Sequence, residues 1–259
     1  MTARAALLEA ERRLAAAGVP TPRTDAEWLV AHLLGTMRSG LVARLDDEVE
    51  GLEPLLARRE AREPLAYVLG EWGFRRLTLR TDARALVPRP ETETLVERAL
   101  ALAAPLQRPR ILDVGVGSGA VALALKDERP DAEVVGVDVS RPALELAREN
   151  AERLGLAVEL RQAGVEAAAE GWDLVVSNPP YVSSLEGLEP ELRYEPEVAL
   201  LGGGLHRAIA SRARTRFIVF EVADGQAGAV AAELEGLGYR EIAVTRDLAG
   251  VERVVEAAR

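Results

Sequence analysis

The stretch Arg110-Ile111-Leu112-Asp113-Val114-Gly115-Val116-Gly117-Ser118-Gly119-Ala120 constrains the fold of this chain more than any other. An apolar run ends in a glycine-rich turn, and helical spacing resumes from about Ser118 to Asp127, so strand, tight loop and helix follow directly on one another. Glu133 to Asp138 reads as the next strand, and a helix after Ser140 runs to Leu154. Such alternation demands a mostly parallel sheet with right-handed crossovers. Val158 to Gln162, Leu174 to Ser177 and Phe217 to Val222 extend the series, and a helix from Gly225 to Leu237 follows. Tyr239 to Thr245 and Val251 to Glu256 lie close enough in sequence to form an antiparallel pair. The expected class is α/β.

The first third of the chain has a different rhythm. Leu7, Leu8 and Leu14 follow helical spacing within Ala3 to Ala17, and Gly18 with Pro20 is a stop signal. Thr24-Asp25-Ala26-Glu27 has the form of a capping box with Thr24 as N-cap, predicting a second helix that ends at Gly35. A short piece around Leu41 to Leu45, a helix from Leu52 to Arg62 and another opened by Pro64 complete a helical segment. Between Trp72 and Val87 the period shifts toward two, with Phe74, Leu77 and Leu79 as inward positions, which predicts a β-hairpin. Prolines stiffen the joint Val87-Pro88-Arg89-Pro90, and Glu91 opens the next helix. The expected division is therefore a helical domain at 1–71, a hairpin and proline-rich linker at 72–90, and an α/β domain at 91–259.

Two loops carry the chemistry. Glycines after the first parallel strand let the backbone turn sharply and approach a ligand, while the helix start offers free N–H groups. Gly115, Gly117 and Ala120 satisfy a loose dinucleotide fingerprint, and Asp138 follows Gly119 by 138 − 119 = 19 positions, near the spacing of a ribose-binding acid. A dehydrogenase and a structural glycine turn both remain open on that evidence. Asp113, two residues before Gly115, would repel a pyrophosphate and welcome a cationic amino-acid moiety, which fits S-adenosylmethionine better than NAD. The second loop is Val175-Val176-Ser177-Asn178-Pro179-Pro180-Tyr181. Each proline fixes its own φ and pushes the residue before it into extended geometry, so the Asn178 side chain and the Pro179 carbonyl become preset acceptors at a strand end. Two adjacent acceptors suit an NH2 group, although a lone Asn-Pro is more often a plain turn.

Composition removes other chemistries. Cys is absent and His occurs twice, which excludes thiol chemistry, disulfides and any His/Cys metal cluster. A net charge of −10 disfavours a broad phosphate-binding face and hence nucleic acid as direct substrate. Met1 to Glu11 interrupts its apolar residues with charges, so no membrane association and a cytoplasmic location are expected.

Asp-x-Gly-x-Gly-x-Gly, an acid one strand later and Asn-Pro-Pro-Tyr after the fourth strand resemble the class I methyltransferases that act on planar NH2 nitrogens of adenine, cytosine or glutamine. More particular are Arg62-Glu63-Pro64-Leu65-Ala66-Tyr67-Val68-Leu69-Gly70, the Val87 to Glu93 joint, Tyr194-Glu195-Pro196, Glu221 with Gln226, and Arg246-Asp247-Leu248-Ala249-Gly250. Together they resemble the peptide chain release factor glutamine methyltransferases over nearly the whole chain. The resemblance implies a Rossmann-like, seven-stranded, mostly parallel sheet with a small helical domain that docks substrate. It implies S-adenosylmethionine as cofactor, S-adenosylhomocysteine as product and release factors as protein partners. Asn178 and Pro179 would be catalytic, with Pro180 and Tyr181 contacting substrate. Asp113, Gly115, Val116, Gly117, Ser118, Gly119, Asp138, Ala163 and Asn178 would contact the cofactor. Two departures stand out: Val116 replaces a residue that is commonly Thr, and Gln162-Ala163-Gly164-Val165 lacks the acid and aromatic often found beside the adenine. The alternative reading is an adenine N6 methyltransferase of DNA or RNA, which shares the Asn-Pro-Pro-Tyr chemistry.

Overall fold

The computed structural model describes residues 1–181, 184 and 187–259 and divides the chain into two compact units. One comprises Met1–Glu71 with Leu188–Tyr194; the other comprises Trp72–Gly187 with Glu195–Arg259. Among the described residues, no helix is long and apolar enough to cross a membrane.

The first unit is helical: α1 (Ala3–Ala16), α2 (Pro22–Leu33), a 3₁₀ turn at Arg38–Arg44, α3 (Leu52–Glu60) and α4 (Leu65–Leu69). Leu7, Leu14, Leu29 and Leu56 are buried between the helices. The capping box expected at Thr24 is not what opens α2. The helix begins with Pro22, its N-cap is Thr21, and the Thr21 hydroxyl donates to Asp25 Oδ1 at 2.7 Å. Proline fits the first helical position, where its missing N–H costs nothing, so the helix starts three residues early. Asp25 is then drawn into a buried ion pair with Arg59 at 2.7 Å. Residues 188–194 join this unit through Glu191, which pairs with Arg59 at 2.9 Å and Arg62 at 2.7 Å, and through the Tyr194 hydroxyl, which donates to the Ala61 carbonyl at 2.8 Å.

The second unit opens with the hairpin β1 (Glu71–Phe74) and β2 (Leu77–Arg80), whose Phe74, Leu77 and Leu79 point inward as their period requires. After α5 (Thr92–Ala103) come β3 (Arg110–Val114), α6 (Ala120–Glu128), β4 (Glu133–Asp138), α7 (Arg141–Leu154), β5 (Glu159–Gln162) and β6 (Trp172–Ser177). Then α8 (Glu197–Leu200), α9 (Leu205–Arg212), β7 (Thr215–Glu221), α10 (Ala227–Gly236), β8 (Arg240–Arg246) and β9 (Glu252–Ala258) complete the chain. Among the described residues seven strands form one sheet in the order β5-β4-β3-β6-β7-β9-β8; β9 is antiparallel to both its neighbours, and the other pairs are parallel. Strand order reverses at β3, so the carboxyl ends of β3 and β6 flank the switch point where open α/β sheets bind ligands.

Strand parity assigns the side chains. Ile111, Leu174, Val176, Phe217 and Val219 pack with α5 and α6 on one face, and Leu112, Val175, Ile218 and Phe220 pack with α9 and α10 on the other. Because side chains alternate along a strand, Asp113, Asn178 and Glu221 continue the rows on the α5 face.

Candidate active site

A cavity of about 460 Å³ lies at this switch point within the second unit. Asp113 to Ser118 line it from the first loop, Asp138 and Ala163 from the neighbouring strand ends, and Asn178, Pro179 and Pro180 from the second loop. Gly119 stands just behind the wall as N-cap of α6, at φ 91°, and a Cβ there would meet Leu123 Cδ1 at 2.8 Å. Glycine is thus needed both for its left-handed backbone and for close helix packing. The Val116 side chain lies against Gly136, where an added Cβ would meet its Cγ2 at 2.6 Å.

Both acids, Asp113 and Asp138, line the cavity. Asp138 is held by two backbone donors: Gly117 N–H to Oδ2 at 3.0 Å and Ser140 N–H to Oδ1 at 2.8 Å. Its remaining lone pairs can still accept hydroxyl hydrogens. Asp113 is buried, accepts the Ala122 N–H at 3.1 Å, and is pushed up to about 7 by burial, with Asp138 adding to the rise. A buried carboxyl so destabilised as an anion is a preset partner for a cation.

The second loop is fixed from behind. Ser177 Oγ donates to the Val114 carbonyl at 2.6 Å, tying the end of β6 to the end of β3. Asn178 Nδ2 donates to Thr92 Oγ at 3.3 Å, which leaves Oδ1 available as an acceptor beside the Pro179 carbonyl. Gly202 closes over the loop so tightly that a Cβ there would lie 2.4 Å from the Pro180 carbonyl oxygen. Tyr181 stands outside the lining, where burial raises its hydroxyl and the charge of Glu221 adds to the rise.

Further residues line or brace the site, and of these Asn150 and Arg253 belong to no motif read from the sequence. Thr92, the first residue of α5, lines the cavity. Asn150 is fully buried; it donates to the carbonyls of Ser118 at 2.9 Å and Arg80 at 3.1 Å, and accepts the Arg80 N–H at 2.7 Å, bracing the glycine loop against the hairpin. Glu195 pairs with Arg89 and accepts the Val87 N–H at 3.2 Å, so two segments far apart in sequence meet at the cavity wall. Burial holds the Glu195 carboxyl above its usual range, with Arg89 opposing. Asp247 folds the β8–β9 turn by accepting the N–H groups of Ala249 and Val251 at 3.0 Å, and pairs with Arg253 at 3.1 Å. Arg253 in turn donates to the Val222 carbonyl at 3.2 Å, one residue beyond Glu221.

Residues 5–70 match the family model described as PrmC N-terminal domain, and residues 92–194 match that of the methyltransferase small domain. A release factor glutamine methyltransferase of Deinococcus radiodurans is 41% identical, covering 100% of this chain and 99% of its own. One from Rhodospirillum rubrum is 42% identical over 95% and 82%, and one from Vibrio cholerae is 39% identical over 98% and 96%. Among solved structures, the hMettl16 catalytic domain in complex with MAT2A 3'UTR hairpin 1 aligns at a TM-score of 0.59 and 15% identity, over 79% of this chain and 80% of that one. The T. thermophilus 16S rRNA N2 G1207 methyltransferase in complex with AdoMet and guanosine aligns at 0.52 and 19%, over 73% and 49%. At those identities the likeness speaks for the fold.

Proposed function

This chain belongs to the release factor glutamine methyltransferases, and from that premise we propose that it methylates the side-chain amide nitrogen of the glutamine in the Gly-Gly-Gln motif of peptide chain release factors. The observation that carries this reading is the Asn178 amide, whose Nδ2 is tied to Thr92 so that Oδ1 and the Pro179 carbonyl form a pair of acceptors on the cavity wall. The cavity also suits S-adenosylmethionine, which when bound supplies a sulfonium methyl. Asp113 offers a buried carboxylate for its ammonium group, Asp138 offers lone pairs for ribose hydroxyls, and the loop from Gly115 to Gly119 brings backbone close to both.

A glutamine amide nitrogen is a weak nucleophile because its lone pair is delocalised into the carbonyl. Asn178 Oδ1 and the Pro179 carbonyl each accept one N–H, which orients the nitrogen and makes its lone pair more available. Orientation of this kind contributes up to roughly 7 to 11 kcal/mol in favourable cases. The helical unit, which matches the PrmC N-terminal domain model, supplies docking surface for the protein substrate.

The test is transfer of radiolabelled methyl to a purified release factor beside a version whose Gly-Gly-Gln glutamine is replaced. Label on the first and none on the second is expected. Label that persists after the replacement, or that goes to nucleic acid instead of protein, overturns the assignment.

A further inference from the structure

Asn150 lies on α7, fully buried and outside the cavity lining, and its amide meets three backbone groups. The Arg80 N–H donates to Oδ1 at 2.7 Å, while Nδ2 donates to the Arg80 carbonyl at 3.1 Å and to the Ser118 carbonyl at 2.9 Å. A backbone N–H only donates and a carbonyl only accepts, so the amide has one orientation and both of its N–H bonds are committed.

The bond to Ser118 acts on the cofactor loop. The first helical hydrogen bond of α6 runs from the Leu123 N–H to the Gly119 carbonyl at 2.8 Å. One residue further back the ladder would join the Ala122 N–H to the Ser118 carbonyl, but that N–H goes to Asp113 Oδ2 at 3.1 Å. The N-cap, Gly119, has no side chain to offer, so Asp113 takes the capping role from the end of β3. Asn150 stands in for the missing helical donor, and the carbonyl of the buried Ser118 is satisfied without drawing Ala122 away from Asp113.

The same helix holds a second stretch of the wall. Glu149, next to Asn150, pairs with Arg84 at 2.7 Å, and Ala143 and Leu146 cluster with Ala85. Arg84 and Ala85 open the segment 84–89 that lines the cavity. We propose that Asn150 is a positioning residue for the cofactor. By holding the Ser118 carbonyl it fixes the backbone of the glycine loop and keeps the Ala122 N–H on Asp113. By holding both backbone groups of Arg80 it ties the segment 84–89 to the same helix. This rests on the reading of the cavity as the S-adenosylmethionine site.

Asn150→Asp keeps the size and the acceptor for the Arg80 N–H but turns a carboxylate on two carbonyls that need donors. Calorimetry with S-adenosylhomocysteine should then give a dissociation constant raised at least about tenfold. In methyl transfer the KM for S-adenosylmethionine should rise in step, with kcat at saturating cofactor within a few fold of wild type. Leu234→Ala, in α10 and away from the lining, is the control for lost stability: its urea midpoint should fall and its dissociation constant stay unchanged. In wild-type protein the Asn150 side-chain and Arg80 backbone 15N–1H resonances should move when S-adenosylhomocysteine is added, although neither residue lines the cavity. The Arg80 movement should vanish in Asn150→Asp. An unchanged dissociation constant in Asn150→Asp, a loss matched by Leu234→Ala, or wild-type resonances indifferent to the ligand overturns the proposal. If Asn150→Asp does not fold, the wild-type resonances still decide. Wild-type protein with no affinity for S-adenosylhomocysteine removes the cofactor reading and this proposal with it, whereas binding that Asn150→Asp leaves intact removes the proposal alone.

Discussion

The Ser177 hydroxyl donates to the Val114 carbonyl at 2.6 Å, and both residues are buried. Val114 is the last strand residue before the glycine loop, and Ser177 is the last before Asn178. The two loops proposed to hold cofactor and substrate are therefore tied to each other by this bond at the switch point. Ser177→Ala should strand that carbonyl in an apolar layer and cost about 1 to 3 kcal/mol, read as a lower urea midpoint at unchanged slope. Unchanged stability would show that the bond is not what aligns the strands.

Asn178→Ala removes the amide acceptor without touching the glycine loop or either acid. Methyl transfer should be abolished while cofactor affinity, measured by calorimetry, stays within a few fold. Parallel loss of both would assign Asn178 to the fold or the cofactor instead.

Asp113 predicts a pH dependence of cofactor binding. Its carboxyl is pushed up to about 7 in the free protein, so below that pH it is mostly protonated. A bound ammonium group favours the carboxylate, and a proton must then leave on binding. Affinity should weaken as pH falls from about 7, by up to about tenfold per unit, and Asp113→Asn should flatten the dependence. Calorimetry in two buffers of different ionisation enthalpy reads the released proton directly. A dissociation constant that does not vary with pH would remove Asp113 from the contact.

The same raised pKa values bear on stability. A carboxyl whose folded pKa lies above its unfolded one favours folding most when protonated, and this advantage is lost as pH rises from about 4.5 toward about 7. Glu221→Gln should thus be more stable than wild type at about pH 8, with the gap closing near about pH 5, in thermal melts. Equal melting temperatures across that range would mean that Glu221 is not held at a cost.

Gly202→Ala places a methyl 2.4 Å from the Pro180 carbonyl oxygen, a backbone atom that moves only if the loop moves. Displacement of the acceptor pair by about 1 Å should cost roughly a hundredfold in kcat, with cofactor affinity retained. Wild-type kcat in Gly202→Ala would show that the loop accommodates the methyl elsewhere.

Local patterns were sufficient wherever the determining forces are local. The glycine loop follows β3 and leads into α6 because turn chemistry and helical period act within a few residues. Ser140 caps α7, its Oγ accepting the Ala143 N–H at 3.3 Å, as a serine before an apolar-periodic run should. Thr24 failed as a cap for the converse reason: the pattern matched, but Pro22 had already started the helix, and Asp25 answers to Arg59, 34 residues away.

What the sequence by itself determined, then, is the strand, loop and helix around Asp113 to Ala120, the preset geometry of Asn178-Pro179-Pro180, and the α/β class they imply. The tertiary structure alone decided that Ser177 meets Val114, that Asn150 holds Ser118 and Arg80 together, and that Thr92 at the start of α5 meets Asn178. These partners lie 32 to 86 residues apart, on elements whose order no local period encodes. Glu221 carries part of the family resemblance in the sequence, but only parity and strand order bury it at the end of β7 beneath α5.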